Sequence, residues 1–548
     1  MEKIIESRPC KHCWASFDIT DKDLEFYDKI SPVFSWKKYL IPSPTFCPEC
    51  RQQRRLSFRN ERKLYKRKCD LTGKEIISIY APDTSYKVYD WKARYSDQWN
   101  PMEYGQTFDD TKSFFLQFHE LLKKVPRLSL YRDDMCHNCD YCNQITACKD
   151  CYLMISGSES EHCLYGKRIV NSEYCVDCLF GIKSKYCYQC IDIFECYHCF
   201  FVQNAINCSD SYFLYNCQWC SFCVFCTNLR NESYCIFNKK YSKEEYFEKL
   251  KEILDMHDIQ HMKEIFSDIK TKAVRRAMDI DHGENVLWDN IQYAKNVSYS
   301  FDCSNIEDSK FCQFVQDTKT VYDADYCCCE SAHCYEIATG WIDMYNCLFG
   351  IDIRPNINNA LYCDSCNSWS NNIFWCVWLR KKSYCILNKQ YTKSEYEKEV
   401  GRIIWRMVET GERWEFFPAS LSPFGYNETV AMESFPLNKN EAIEKWFRRS
   451  DYEAPFPKTD AKDIIICEVS GKPFRLIPQE IEFYKKHNLP LPTKHPDVRH
   501  AERMALRNPR KLRDRKCAKC GADIKTSYSP ERKEIVYCEQ CYNKEIYW

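Results

Sequence analysis

The fold of this chain is decided by a cysteine run whose central part, residues 175–199, reads CVDCLFGIKSKYCYQCIDIFECYHC. Eighteen cysteines lie between Cys136 and Cys235, and every gap between neighbouring cysteines is a multiple of three. From Cys136 to Leu229, the positions on this phase that are not cysteine hold small or apolar residues, and none is charged. An α-helix repeats every 3.6 residues and a strand every 2, so neither structure explains the period.

A three-residue period predicts a narrow β-solenoid whose chain turns so sharply that every third side chain points into a thin interior. Close packing leaves such an interior room for a thiol or a methyl group and little more. By fold analogy, the pattern resembles the slim cysteine-filled β-solenoids of insect antifreeze proteins. Separations of 12 and of 21 residues both recur, so the coil length stays open. We interpret these cysteines as small hydrophobic residues, with disulfides or bound metal as alternatives.

The composition is that of a cysteine-rich globular chain: 548 residues, 39 cysteines, 15% aromatic residues and a formal net charge of zero. Bulk charge therefore indicates no particular partner. The N-terminus lacks the apolar run of a signal peptide, and no stretch of about 18 apolar residues could span a membrane. We therefore expect a cytoplasmic protein without a membrane partner. Thiols stay reduced there, and cysteine pairs bind metal more often than they form disulfides.

The cysteine run recurs in a looser form later in the chain. Residues 226–254 resemble residues 376–404, and the second run keeps the three-residue phase from Ile291 to Cys327. The phase then shifts several times before Cys385, and we interpret the shifts as loop insertions between coils. The sequence therefore predicts a second solenoid.

Each predicted solenoid ends in a helix with a capping-box pattern. Ser242 and Thr392 are the predicted N-caps, and Glu245 and Glu395 follow three residues later. Terminal caps of this kind close the open end of repeat proteins.

The two ends of the chain are also homologous. Residues 47–93 align with residues 495–541 without a gap, and the match includes Arg51 with Arg499 and Arg55 with Arg503. The chain thus has a nested A–B–B′–A′ order. We predict a mainly β fold with helical caps, in which two cysteine-rich β-solenoids are flanked by small α+β zinc-ribbon or treble-clef-like modules. The predicted segments are a zinc module (1–130), a solenoid with its helix (131–256), a helical connector (257–290), a second solenoid (291–405), a loop-rich linker (406–460) and a second zinc module (461–548).

Two sets of four cysteines have the spacing of metal sites. Near the C-terminus, the set has two C-x2-C pairs separated by seventeen residues, which is typical of a closed tetrahedral zinc site. The N-terminal set has a longer gap that must hold a helix from Asp21 to Lys29. Four protein ligands leave no open position, so both zinc sites should be structural. The predicted ligands are Cys10, Cys13, Cys47 and Cys50 in one site and Cys517, Cys520, Cys538 and Cys541 in the other.

The module copies have kept opposite halves of a common metal pattern. The N-terminal copy has a complete front set, but behind its basic stretch only Cys69 remains, with Thr72, Asp90 and Ala93 in the other slots. The C-terminal copy has the complete rear set, while its front slots hold Cys467, Ser470, His495 and Val498. Each module has thus lost the cysteines of the set that the other module keeps. This pattern indicates that the cysteines bind metal and do not merely fill a core.

A basic stretch lies between the metal slots of each module. Residues 51–68 read RQQRRLSFRNERKLYKRK, and the arginines fall on one face of a predicted helix. Such a face could neutralise the phosphates of RNA or DNA. The alternative is a solvated surface helix, or one that pairs with acidic residues of the solenoid. The predicted nucleic-acid-binding residues are Arg51, Arg54, Arg55, Arg59, Arg62, Lys66, Arg503, Arg507 and Arg510.

The motifs of common enzymes are absent from the sequence. It has no phosphate-binding glycine loop, no Gly-x-Ser-x-Gly elbow and no pair of histidines at metal-site spacing. We therefore expect a non-enzymatic zinc-binding protein that binds nucleic acid through its basic helices. The alternatives are a protein-interaction scaffold and a thiol-rich metal store or redox buffer.

Three stretches carry a family resemblance: IPSPTFCPECRQQRR at 41–55, KRKCDLTG at 66–73 and YCIFNKKY at 234–241. They resemble an uncharacterised family of cysteine-rich, zinc-ribbon-bearing proteins from uncultivated, small-genome bacteria. The resemblance covers most of the chain. It implies no catalytic residue and no established biochemical role.

Overall fold

The computed structural model describes residues 2–255, 258–326, 335–340, 342–352, 355–412, 414–455 and 464–547. The chain forms two compact units, each built from two separate stretches: Met1–Ser129 with Asp279–Tyr452, and Leu130–Met278 with Glu453–Trp548. Each unit therefore combines one terminal cysteine module with one internal cysteine run, and the N-terminal module belongs with the second run.

The first cysteine run, which we call the first ladder, is an 11-stranded sheet, parallel except for its last pair. Its strands are Asn143–Thr146, Ile155–Ser158, Lys167–Val170, Leu179–Ile182, Ile191–Phe194, Tyr197–Phe200, Gln203–Ile206, Ser209–Tyr215, Ser221–Thr227, Ser233–Ile236 and Lys239–Lys240.

Successive turns of the first ladder pair with a register of twelve residues. One column of paired residues starts at Asn143 and continues through Ile155 and Lys167. Three further columns start at His137, Asp140 and Thr146, so the columns are spaced three residues apart. The register matches the separation of 12 residues that recurs in the sequence, and not that of 21.

The chain bends at every third residue of the first ladder. Each third residue from Asn138 to Phe237 has a positive φ, between 46° and 60° over this part of the chain. Single left-handed residues cost about 1–2 kcal/mol each, and Asn and Asp tolerate them best. Asn and Asp side chains also bond across neighbouring turns at these corners, as between Asn138 Nδ2 and Asp150 Oδ1 at 2.6 Å. The repeated corners explain why the sequence repeats at three and not at two.

The phase with the cysteines is the buried phase, as the sequence predicts. A single cluster of buried side chains contains every cysteine from Cys139 to Cys235 and the other buried apolar residues of the same phase. No disulfide bond joins the cysteines of the described residues. The interpretation of these cysteines as small hydrophobic residues is incomplete, because their thiols also donate hydrogen bonds. The Cys175 thiol lies 3.5 Å from the carbonyl of Glu173 and 3.4 Å from that of Ser184, and the hydroxyl of Ser160 makes the same pair of contacts at 2.8 and 3.2 Å.

The second ladder has the same register at its start and a longer one later. Ser304 pairs with Gln316 at twelve residues, but Met344 pairs with Ile357 and Ile357 with Ser370 at thirteen. Its strands are Ile280–Lys310, Gln316–Lys319, Met344–Leu348, Ile357–Leu361, Ser370–Phe374, Ser383–Ile386 and Lys389–Gln390.

One shift of phase in the second ladder is a single extra corner residue. There, Ser368 and Trp369 both have positive φ, at 56° and 60°, and Trp369 is 67% exposed. The interpretation as loop insertions is therefore wrong there, because one additional left-handed residue is enough to shift the phase. Cys327, where the regular phase ends in the sequence, lies outside the described residues.

The capping helices form as predicted, and the helical connector is shorter than predicted. Ser242 with Glu245 and Thr392 with Glu395 both make the reciprocal capping bonds. The segment 257–290 is helical only over Ile259–Lys272, because the chain turns into a strand at Val274 and enters the second ladder at Ile280. The α-helices are Asp21–Ile30, Pro48–Leu56, Trp91–Tyr95, Phe114–Lys124, Lys243–Asp255, Ile259–Lys272, Lys393–Thr410, Ala431–Ser434, Lys439–Glu444, Pro478–Lys486, Pro496–Ala505 and Glu539–Ile546, with 3-10 turns at Pro101–Tyr104, Ala419–Leu421 and Tyr426–Glu428.

The modules repeat one small motif four times: a β-hairpin with a tight turn, followed by a helix. The hairpins are Ile4–Pro9 with Ser16–Thr20, Tyr65–Lys68 with Glu75–Ser78, Ile465–Ile466 with Pro473–Phe474, and Arg513–Lys516 with Asp523–Thr526. The helices that complete them begin at Pro48, Trp91, Pro496 and Glu539. The remaining short strands are Val33–Phe34, Lys37–Lys38, Val88–Tyr89, Arg127–Leu128, Val274–Arg276 and Ile535–Tyr537.

An aromatic column on the outside of the first ladder is covered within its own unit. Phe201, Phe213 and Phe225 stack at 4.7 and 5.0 Å and are at most 9% exposed, and Phe213 contacts Phe266 of the helix Ile259–Lys272. These stacked rings, which are twelve residues apart in the sequence, therefore form a surface on which the helix Ile259–Lys272 packs.

Candidate metal centres and the arginine helices

The N-terminal centre joins a hairpin turn to the start of a helix. Cys10 and Cys13 belong to the turn after the strand Ile4–Pro9, Cys47 is the N-cap of the helix Pro48–Leu56, and Cys50 lies in its first turn. The four sulfur atoms lie within 4.8 Å of one another. The turn and the helix thus bring the four predicted ligands together.

The C-terminal centre has the same construction. Cys517 and Cys520 form the turn between the strands Arg513–Lys516 and Asp523–Thr526, and Cys538 is the N-cap of the helix Glu539–Ile546, which contains Cys541. These four sulfur atoms also lie within 4.8 Å of one another. Because the second cysteine pair starts a helix, this module repeats the N-terminal design.

The sulfur positions fit a tetrahedral metal ion. A zinc–sulfur bond of about 2.3 Å gives a sulfur–sulfur edge of about 3.8 Å in a regular tetrahedron. The Sγ atoms of Cys13 and Cys47 are 3.7 Å apart, and those of Cys520 and Cys538 are 3.8 Å apart. Both clusters can therefore hold a metal ion with four thiolate ligands.

Hydrogen bonds favour the thiolate form in one cysteine of each cluster, while Cys47 raises the pKa of Cys50 and Cys538 raises the pKa of Cys541. The Cys50 thiol and backbone lower the pKa of Cys47 to about 5, against the opposing effect of burial. Burial raises the pKa of Cys517, but the backbone N–H groups of Cys520 and Cys538 outweigh it and bring the value to about 6. Helix N-termini and tight turns supply such N–H groups without any charged side chain.

The two incomplete slots keep backbone hydrogen bonds to the side chains that remain in them. In the N-terminal module, the backbone N–H of Asp90 lies 3.2 Å from Cys69 Sγ, and the Asp90 side chain caps the helix Trp91–Tyr95. In the complete site, the N–H of Cys47 lies at the same distance from Cys10 Sγ. In the C-terminal module, the ring of His495 accepts from the N–H of Asp497 at 3.0 Å.

The helix Pro48–Leu56, which we call the N-terminal arginine helix, packs on the second ladder. Arg51 and Arg55 lie one helical turn apart and both contact Asp323, at 2.9 and 3.0 Å. Arg54 contacts Glu336 at 2.8 Å. All five side chains are at most 7% exposed, so these ion pairs are sealed from water.

The helix Pro496–Ala505, the C-terminal arginine helix, repeats this arrangement on the first ladder. Arg499 and Arg503 are the homologues of Arg51 and Arg55, and both contact Asp177, at 2.6 and 2.8 Å. Arg499 also contacts Glu480 of its own module at 3.0 Å. Both ladders thus offer one buried aspartate to a pair of arginines.

The buried carboxylates hold Arg51 in the ionised state. Burial disfavours the charge of Arg51, but Asp323 more than offsets this and holds the pKa of Arg51 well above its usual range. Burial raises the pKa of Glu336 above its ordinary value, although Arg54 and Arg55 act in the opposite direction. Charges buried in this way are costly unless each one is paired and hydrogen-bonded.

The predicted nucleic-acid residues do not form one surface. The stretch 51–68 is helical only to Leu56 and becomes a strand at Tyr65, because Asn60 bonds with the backbone of Lys63 in a turn between them. Arg51, Arg54, Arg55, Arg59 and Arg503 are at most 6% exposed, which corrects their assignment to phosphate binding. Arg62, Arg507 and Arg510 are partly exposed, and Lys66 is exposed. The arginine helices instead follow the alternative interpretation from the sequence, in which their arginines pair with acidic residues of the cysteine runs.

The partner carboxylates were not singled out in the sequence. Asp323 and Asp177 both lie at left-handed corners, with φ of 62° and 54°. Tyr165, Phe201 and Phe213 occupy left-handed positions separated from Asp177 by multiples of twelve residues. A single carboxylate among these aromatic residues was therefore the sequence signal that could have identified Asp177 as a buried partner. Glu336 and Glu480 carry no comparable signal, because glutamate is common on exposed positions.

No protein-family model matches the chain, and no curated protein matches it either. The resemblance to the cysteine-rich bacterial family therefore stays a prediction. None of the helices in the described residues has the length and apolar character needed to cross a membrane.

Proposed function

We propose that the chain is a non-enzymatic, cytoplasmic zinc-binding scaffold, in which each terminal module holds an arginine helix against a rigid cysteine-lined solenoid. One observation carries the proposal: in both units, two arginines one helical turn apart share a single buried aspartate of the ladder. A basic helix committed to such a contact is a structural element. In the N-terminal module, the zinc centre also fixes where that helix begins.

Zinc suits both centres because four thiolates fill its tetrahedral shell and leave no position for a substrate. When bound, it would tie the hairpin turn to the N-terminus of the helix and supply folding energy to a small module. Cys47 is the N-cap of the N-terminal arginine helix itself, so ligation there would set the position of Arg51 and Arg55. The metal would thus act on the ladder contact indirectly.

The ladders supply the rigid part of the proposal. Four parallel columns spaced three residues apart are what a chain wound into a closed four-sided tube would show, and we infer such a tube for each cysteine run. Its outer faces carry regular rows of charge, such as Lys185 with Glu173 at 2.6 Å and Lys183 with Glu195 at 3.3 Å. A face with fixed spacing of this kind suits the docking of a partner protein.

The other functions considered from the sequence have less support. Nucleic-acid binding through the arginine helices would require Arg51, Arg55 and Arg503 to leave buried ion pairs. Metal storage would require many thiol clusters, but only two groups of potential ligands occur among the described residues. Both remain outcomes of the experiment below.

The test is elemental analysis of the purified full-length chain. We expect about two zinc ions per chain, the number that two four-thiolate sites hold. Cys50→Ser and Cys520→Ser should each remove one ion. Cys136→Ser, a change of the same kind at the start of the first ladder, should keep both.

Two results would contradict the proposal. A metal content well above two ions per chain would favour storage. Nucleic acid that co-purifies at low salt, with an affinity that falls steeply as salt rises, would favour a nucleic-acid-binding protein. A scaffold should instead bind a partner protein after nuclease treatment.

A further inference from the structure

Two histidine rings that are far apart in the sequence meet in the second of the two units. His198 lies at a left-handed corner of the first ladder, with φ of 49°, and His487 is the C-cap of the helix Pro478–Lys486 in the C-terminal module. Their ring centres are 6.0 Å apart, and the ring planes are inclined by 38°. The sequence has no pair of histidines at metal-site spacing, so the fold alone creates this pair.

A carboxylate fixes the ring of His198. Asp210 lies at the equivalent corner of the neighbouring turn, and its Oδ1 is 2.9 Å from Nδ1 of His198. When the Nδ1–H group donates to this carboxylate, the lone pair of Nε2 is free to bind a ligand. A carboxylate placed behind a histidine in this way orients metal-binding imidazoles and raises their basicity.

His487 is held in the neutral state that a metal requires. Burial, followed by the positive charges of His198 and Lys486, lowers the pKa of His487 to about 4. Its ring nitrogens make no hydrogen bond or ion pair with any described residue. Neutral imidazole with an unused lone pair is a ligand for zinc, copper and nickel ions.

The spacing and the surroundings of the two rings suit one ion between them. An ion about 2.0–2.1 Å from an imidazole nitrogen lies about 3.2 Å from the ring centre, so two rings on one tetrahedral ion have centres about 5.2 Å apart. The observed 6.0 Å differs from this value by an amount within reach of small side-chain rotations. Phe200 packs on His198 at 5.4 Å and Phe483 on His487 at 4.6 Å, so aromatic side chains support both rings.

We propose that His198 and His487 bind one exchangeable divalent transition-metal ion of the nickel, copper or zinc class. Two protein ligands, against four in each cysteine centre, leave the remaining positions to water. The ion would tie the C-terminal module to the first ladder. Nothing in this inference depends on the zinc centres, and one ion held by two histidines differs from storage at many thiols. It therefore stands or falls separately from the proposed function.

The test is titration calorimetry of the zinc-loaded, full-length chain with Ni²⁺. We expect one saturable ion per chain in addition to the zinc, and the zinc content should stay unchanged throughout. His198→Gln and His487→Gln should each weaken Ni²⁺ binding by about a hundredfold. Asp210→Asn, which keeps both ligands, should weaken it by about tenfold.

His162→Gln is the matched control. His162 is also a left-handed corner residue beside an aspartate, Asp150, at 3.9 Å, but its ring stacks on Tyr174 and not on a second histidine. Its replacement should change the affinity for Ni²⁺ by less than about twofold.

Urea unfolding gives a second readout, because an ion that bridges the module and the ladder stabilises the folded chain. Ni²⁺ should raise the unfolding midpoint of the parent and leave those of His198→Gln and His487→Gln unchanged. Failure of Ni²⁺ to bind, or binding that releases zinc from the cysteine centres, would overturn the proposal. So would equal losses of affinity in His162→Gln and His198→Gln, because the binding would then be diffuse attraction to surface histidines.

Discussion

Arg55 donates from Nη1 to Oδ1 of Asp323 across 3.0 Å, at a place where neither side chain meets water. The same aspartate also binds Arg51, so removal of this one carboxylate would weaken the pairing of two buried cations. An uncompensated buried charge costs far more than an exposed ion pair contributes. The contact between each arginine helix and its ladder is therefore sensitive to a change of a single residue.

Replacement of Asp323 by Asn should lower the free energy of unfolding by about 3–5 kcal/mol, because Arg51 would stay buried without its aspartate and Arg55 would keep Asp325 alone, at 3.4 Å. Asp177→Asn should have a similar effect through Arg503 and a smaller one through Arg499, which keeps Glu480 at 3.0 Å. Urea unfolding of the metal-loaded protein measures both. The exposed pair of Lys149 and Glu161 provides the control, and Glu161→Gln should cost at most about 1 kcal/mol. Equal effects in Asp323→Asn and Glu161→Gln would show that the buried contact is not stabilising.

The incomplete slot at Cys69 should accept a metal ion once its missing ligands are restored. The backbone N–H at Asp90 is 3.2 Å from Cys69 Sγ, the distance found in the complete N-terminal site. We expect the triple variant Thr72→Cys, Asp90→Cys, Ala93→Cys to raise the zinc content by about one ion per chain. Elemental analysis measures this. The same triple variant with Cys69→Ser is the control, and an equal gain in both would mean that the new thiols bind metal elsewhere.

Serine should replace a ladder cysteine with little loss, whereas a larger apolar residue should not. The Cys175 thiol donates to two carbonyl oxygens, and the hydroxyl of Ser160 does the same in another coil. We expect Cys175→Ser to cost less than about 1.5 kcal/mol and Cys175→Leu to cost about 1–3 kcal/mol more, since the interior has no spare volume. Urea unfolding measures both, and a result with Leu tolerated better than Ser would contradict a hydrogen-bonding role.

Stability should fall in weak acid, partly through His119. Burial, followed by the charges of Lys123 and Arg448, lowers the pKa of His119 to about 4. Because the pKa is near 6.5 in the unfolded chain, the unfolded state takes up a proton first. The contribution of His119 is therefore complete above about pH 6.5 and is lost as the pH falls toward 4.

Replacement of His119 by Gln should reduce this loss by about 1–2 kcal/mol, a figure that allows for the partial exposure of the ring. The measurement is the difference in unfolding free energy between the variant and the parent at pH 7 and at pH 4.5. His261→Gln changes an exposed ring on another helix and should leave the difference near zero. A parallel pH dependence in all three proteins would contradict the assignment to His119.

The residue types and spacing predicted the buried phase and the capping helices, because both depend on local geometry. The three-residue repeat follows from left-handed corners, and the capping boxes at Ser242 and Thr392 involve residues three positions apart. The two cysteine clusters were predictable for a similar reason, since C-x2-C pairs form a tight turn or the start of a helix.

The meaning of the basic stretch could not be read from its own residues. An arginine pattern such as Arg51, Arg54 and Arg55 is the same whether it faces phosphate or a buried carboxylate, and Asp323 is 272 residues away from Arg51. The pairing of each module with its ladder could not be predicted for the same reason, since the contacting residues are far apart in the sequence. Nothing local distinguishes an N-terminal module that packs on the nearer cysteine run from one that packs on the farther run.

The pairing of each module with a distant ladder also determines the order of events during synthesis on the ribosome. Asp323 emerges 272 residues after Arg51, and Arg499 emerges 322 residues after Asp177. At a synthesis rate of about 5–20 residues per second, each delay is on the order of tens of seconds. The nascent chain must therefore carry its early arginines solvated, and its first aspartate corner uncovered, long after those segments have left the exit tunnel.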